Sequence, residues 1–235
     1  MYKVNESLND QPHEIGRART FSPGWFENES VWLHMEYKYM LEMLRNELYD
    51  EFYSDFKKVF VPFFDPEVYG RSILENSSFI CSSANPDPSL HGNGFVARLS
   101  GATAEFIHIL LLMTIGKKSF SLTSARELHL QLIPALPSWL FTKEACTRSL
   151  IIDGKWHEIE FPANSFSFMF LGDILVTYQN ESLKDTFGES GVKPISYEVI
   201  DFEGISKFFK PEELKGEIVE KIRNRKVERI IVVLN

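Results

Sequence analysis

The segment Arg98-Leu99-Ser100-Gly101-Ala102-Thr103 opens an apolar stretch long enough to form a helix. A helix start of this kind turns free backbone N–H groups, a hydroxyl and the positive dipole end toward an anion. Glycine at the second position of that start lets a ligand approach the backbone closely. Ser100 serves equally well as a plain N-cap. His34 follows Val31-Trp32-Leu33, near the carboxylates Glu29 and Glu36. An imidazole so placed could bind an anion as imidazolium or act as a general base, and an exposed or simply hydrogen-bonded histidine fits as well. His91 and His108 carry that plainer reading. Asp65, Glu67, Glu75 and Asp87 are the loop carboxylates of the first half. Glycoside chemistry uses paired carboxylates, or one acid and a bound nucleophile. Asp65-Pro66 and Asp87-Pro88 are, more simply, turn dipeptides. No GxSxG, HExxH, P-loop or dinucleotide fingerprint occurs. Cys81 and Cys146 stand far apart and in no metal-ligand spacing, so no disulfide framework and no metal site is expected.

Two kinds of element must hold these residues. From Val31 to about Val59 the apolar residues Met35, Tyr39, Leu41, Leu44, Leu48, Phe52 and Phe56 recur near a 3.6-residue period. The length predicts two helices broken near Asn46 to Asp50, with capping side chains at Asn28 to Ser30 and a stop at Pro62. A further helix is predicted from about Ala102 to Ile115, apolar nearly all round and so buried on most faces. The polar stretch from Glu75 to Asn93 reads as a long, functional loop.

After Gly116 the period changes. Leu128, Leu130 and Leu132 alternate with His129 and Gln131, while Asp153-Gly154 and Gly172-Asp173 each separate two strand-like runs. PISYEVIDFEG and RIIVVL add strands, and EELKGEIVEKIRNRK reads as a short helix or charged connector. Five or more short strands with turn signals predict an antiparallel sandwich. The expected division is residues 1–116, helical, and residues 117–235, β-rich.

The 235 residues carry 33 acidic against 25 basic side chains, a formal charge of -8. That balance argues against nucleic acid or an anionic membrane as partner. Hydrophobic residues make up 44% of the chain, enough for a full core without covalent staples. MYKVNESLNDQPHEIG has no apolar run, so neither signal peptide nor anchor is expected and the predicted compartment is the cytoplasm. The 20 phenylalanines suit a large core or a sugar-stacking surface.

FSPGWFENESVWLHMEYKY, followed by FFDPEVYGRSILENSSFICSSANPDPSLHGNGFVARLSGATAEF, resembles the C-terminal part of cellobiose-phosphorylase-like enzymes. These are inverting glycoside phosphorylases related to glycoside hydrolase family 94. The likeness rests on Glu27-Asn28, on Val31-Trp32-Leu33-His34, and on Ser100-Gly101-Ala102-Thr103-Ala104-Glu105-Phe106; LPSWLF and FLGDILVTYQN resemble the family's C-terminal β-sandwich. It implies an α+β multidomain fold. Residues 1–116 would be the incomplete end of an (α/α)₆ catalytic barrel, and residues 117–235 a C-terminal antiparallel β-sandwich. It implies phosphate binding by His34, Ser100 and Gly101, with Glu27, Asn28 and Arg98 as sugar-site candidates. Inorganic phosphate is the implied co-substrate, with no cofactor, no metal and no catalytic residue in this chain. The family's general acid and its phosphate-site arginines lie upstream of the histidine motif, so the chain alone is expected to be inactive. Carbohydrate and phosphate are the expected partners, together with an upstream barrel chain or self-association. A non-catalytic carbohydrate-binding or scaffold protein derived from that fold is the other reading.

Overall fold

A computed structural model describes residues 1–97, 101–152 and 154–235, and the side chain of Ala97 is not described. Within them the chain is a mixed α/β structure with five α-helices and four sheets. It divides into two compact units, Met1–Leu111 and Leu112–Asn235. The division falls inside a helix, whereas the sequence places it after residue 116.

In the first unit the 3.6-residue pattern becomes α1 (Leu33–Arg45) and α2 (Tyr49–Val59). Between them Glu47 takes a positive φ of 63°, and the Asn46 N–H donates to the Glu42 carbonyl at 3.0 Å. Leu33, Tyr37, Met40 and Leu44 of α1 are buried, as are Phe52, Phe56 and Val59 of α2. Phe52, Phe56, Phe60 and Phe79 are core, and Phe60 stacks on Phe56 at 4.3 Å and on Tyr37 at 5.2 Å.

The expected cap at Asn28 to Ser30 does not form. Trp32 occupies the N-cap position, without a side-chain bond, because the chain first makes a two-residue strand, β1 (Val31–Trp32). β1 pairs antiparallel with β2 (Ser77–Ile80), which pairs with β3 (Gly94–Ala97). The stretch from Glu75 to Asn93 is therefore no single loop; it holds the middle strand of a sheet. Trp25, Phe26 and Phe95 gather their rings around Phe79 of that strand. Asp65 caps α3 (Pro66–Tyr69) by accepting from the Glu67 N–H at 2.9 Å. Asp87 likewise accepts from the Ser89 N–H at 3.0 Å, so both aspartates cap turns. The apolar run forms α4 (Gly101–Ile115). Ala102, Ile109, Leu112 and Met113 are buried, but Ile107, Leu110 and Leu111 stay exposed, which corrects the expectation of burial on most faces.

In the second unit β4 (Phe120–Leu122) and β5 (Leu128–Leu130) pair, and β6 (Cys146–Ile152) and β7 (Lys155–Phe161) form a long hairpin. Asp153 of its expected turn lies outside the described residues; Gly154 supplies a positive φ of 71°. β8 (Ser165–Phe170), β9 (Ile174–Gln179), β10 (Pro194–Ile200), β11 (Ser206–Phe209) and β12 (Arg229–Leu234) make a five-stranded sheet in the order β11-β10-β12-β9-β8. The charged segment before the last strand forms α5 (Glu217–Arg223). The sheet is mixed, not antiparallel throughout, because β12 runs parallel to β9. A parallel neighbour needs a long crossover, and the chain supplies it through β10, β11 and α5. Ile152, Ile159 and Phe161 of the hairpin pack against Leu175 of β9. Among the described residues the helices close no barrel, and no helix is long and apolar enough to cross a membrane.

Candidate functional site

His34 is the second residue of α1, placed there by the chain leaving β1, and Gly101 is the first residue of α4. The two meet. A Cβ added to Gly101 would stand 2.5 Å from His34 Nε2 and 2.6 Å from both Cδ2 and Cε1. Gly101 does not have a left-handed φ, so no turn demands glycine there. The imidazole takes the space that a Cβ would fill.

One helical turn further along α4, Glu105 Oε1 lies 3.7 Å from His34 Nε2. Its spacing of four from Gly101 puts it on the same face, a signal the sequence contained. The carboxylates that the sequence set beside His34 are engaged elsewhere. Glu29 Oε1 accepts from Lys3 Nζ at 2.7 Å, and Glu36 Oε2 accepts from the Tyr2 N–H at 3.1 Å. Glu36 is buried, its Oε1 has no partner, and burial pushes its carboxyl above the ordinary carboxylate range against the pull of the Tyr2 N–H.

Glu27 and Asn28 lie in a tight turn in which Trp25 and Asn28 exchange two backbone bonds of 3.1 Å. Phe26 and Glu29, on either side of them, take positive φ values of 47° and 59°. Arg17 donates to Glu27 Oε1, while Glu27 Oε2 is shut off from solvent without a partner. Asn28 is 2% exposed; its amide donates to the Phe21 carbonyl at 2.7 Å and its Oδ1 has no partner. No hydrogen bond joins Glu27 or Asn28 to His34 among the described residues. Ser100 and Arg98 lie outside the described residues. His91 Nε2 meets the Asn85 carbonyl at 2.8 Å, a structural contact. Both cysteines are free, and no group of three His, Cys, Asp or Glu side chains among the described residues could hold a metal ion.

The His34 side chain is 37% exposed, so solvent reaches a ring that is pressed against the start of a 15-residue helix. The first N–H groups of that helix have no partner within it, and they share the dipole's positive end. A ring N–H beside them makes a donor set suited to an oxyanion, with the Glu105 carboxylate on its flank competing for a protonated ring. No family model and no curated protein matches the chain.

Proposed function

We propose that this chain carries the phosphate-binding end and the C-terminal β-domain of an inverting glycoside phosphorylase. The observation that carries the reading is the contact of the His34 imidazole with Gly101 at the start of α4. These residues belong to two separate short motifs of the cellobiose-phosphorylase-like pattern, and that pattern makes both of them ligands of one phosphate. On this reading the first unit is the end of an (α/α)₆ barrel and the second a β-sandwich. Phosphate, held by His34, the hydroxyl of Ser100 and the backbone of Gly101, forms a bond to the anomeric carbon as the glycosidic bond breaks with inversion. On this reading the departing sugar oxygen takes its proton from a general acid of a barrel segment that precedes the histidine motif in the family pattern, and an upstream barrel chain or a second copy is the proposed partner.

Phosphate added to the purified chain should raise its melting temperature with concentration, by mass action on the folded state. A millimolar Kd, about -4 kcal/mol, is expected for so few ligands. Sulfate, an oxyanion of similar shape, should raise the melting temperature through the same donors. His34→Ala and Ser100→Ala should each reduce the shift. A shift that His34→Ala leaves intact would overturn the assignment.

A further inference from the structure

A cavity of about 400 Å³ opens beside the β6–β7 hairpin in the second unit. Ile152 and Ile159 give it an apolar floor, and Lys155, His157, Glu158, Glu228 and Arg229 line it, with Phe202 beside them. The pattern of β7 explains part of this arrangement, since Lys155, His157 and Ile159 alternate onto one face of the strand. Glu228 and Arg229 lead into β12 and are half-buried.

Two features separate this cavity from an ordinary surface groove. Among the described residues, the side chains of Lys155, His157, Glu228 and Arg229 form no ion pair or hydrogen bond with any other group. Charges of both signs share one concavity, yet each keeps its donors or acceptors free. Phe202, in turn, is 59% exposed on a fixed turn, where Asp201 Oδ1 accepts from the Glu203 N–H at 3.0 Å and the Ile205 N–H at 2.9 Å. The turn displays the ring at the cavity and holds it there.

The geometry points to a binding site for a neutral saccharide, formed by Phe202, Arg229, Glu228, Lys155 and His157. Each sugar hydroxyl both donates and accepts, so it needs carboxylate acceptors next to ammonium and guanidinium donors. The flat C–H face of a pyranose needs an aromatic surface, which Phe202 offers. An anion would meet Glu228 and Glu158, and a cation would meet Lys155 and Arg229. The volume lies in the range of small-ligand sites. Every residue involved belongs to the second unit, so the proposal stands or falls independently of the phosphate site at His34.

The test is a set of amide ¹H–¹⁵N titrations of the full chain with cellohexaose, maltohexaose, xylohexaose and laminarihexaose, with inorganic phosphate as a separate arm. At least one hexasaccharide should produce saturable shifts centred on residues 152–159, 201–205 and 228–229. Phe202→Ala and Arg229→Gln should each weaken that binding at least about tenfold. Phe202 is a surface residue, so its variant should keep the parent melting temperature and report binding alone. The proposal is overturned if no hexasaccharide shifts these residues, if Phe202→Ala leaves affinity unchanged, or if phosphate alone shifts them.

Discussion

In the second unit the buried hydroxyls end on partners. Thr186 Oγ1 donates to the Pro134 carbonyl at 2.7 Å, Tyr178 OH to the Thr114 carbonyl at 2.6 Å and Ser165 Oγ to the Pro162 carbonyl at 2.7 Å. Among the described residues of the first unit, four buried side-chain oxygens have none: Glu27 Oε2, Asn28 Oδ1, Glu36 Oε1 and Ser77 Oγ. Each such atom loses its hydration without recovering a bond, and folded proteins keep few of them. Three of the four bracket His34 in sequence, on a segment that also holds Phe26 and Glu29 at positive φ. Positive φ does not separate the units, since Arg126, Asn164, Leu171, Leu183 and Arg225 of the second take it too; the unpartnered buried oxygens do, and they gather at the turn and helix start around His34. Local rules are broken in this way where a segment serves a site.

The largest expected effect tests the contact at the centre of that segment. Glycine to alanine inside a helix ordinarily stabilises by about 0.5–1 kcal/mol. At Gly101 the added methyl would collide with the far edge of the His34 ring, which must swing aside into solvent, so Gly101→Ala should instead cost up to about 2 kcal/mol. In the double variant with His34→Ala the collision is gone and the helix gain returns, and urea unfolding of the four proteins gives the coupling. A stabilised single variant would show that the imidazole does not occupy this space, and the contrast between the units would lose its centre.

How far each unit can be read from sequence follows the same line. α1, α2 and α4 are long enough for a 3.6-residue period to repeat, and the hairpins β6–β7 and β8–β9 turn at Gly154 and at Gly172. The sheet β1-β2-β3 is not legible, because strands of two to four residues cannot show alternation and their pairing joins Val31 to Ile80. The parallel pairing of β9 with β12 has no local signal either; it is decided by where the crossover lands. At the candidate site, Ser100, Gly101 and His34 stand out by residue type and likeness, and Glu105 follows from Gly101 by one turn of helix. The orphaned oxygen of Glu36 does not follow, since its isolation depends on what Tyr2 covers.

A smaller effect tests the other side of the comparison. If buried polar groups of the second unit contribute stability through their partners, Tyr178→Phe should cost about 1–2 kcal/mol, by taking the donor from the Thr114 carbonyl. Burial raises the Tyr178 hydroxyl well above the usual phenol range, so it remains a donor at any ordinary pH. A change near zero in urea unfolding would mean that the bond adds nothing, and the units would no longer differ in this respect.

The smallest effect has the opposite sign and comes from Glu36. Its carboxyl is raised in the folded state, chiefly by burial, so the folded chain holds a proton that the unfolded chain releases over the interval between the ordinary carboxylate range and the raised value. Across that interval the unfolded state binds fewer protons, and stability therefore falls as pH rises. The contribution is fully present on the acid side and is lost once pH passes the folded value. Glu36→Gln has no proton to lose, and its side-chain carbonyl can still accept the Tyr2 N–H. The variant should therefore match the parent in acid and exceed it by about 1 kcal/mol at neutral pH, because an uncharged amide costs less to bury than a carboxylate. Taking the difference between variant and parent at each pH removes the titration of the other acidic groups. A variant less stable than the parent at neutral pH would mean that the ionised carboxylate is supported by its surroundings. The first unit would then hold its buried acid as securely as the second holds its hydroxyls.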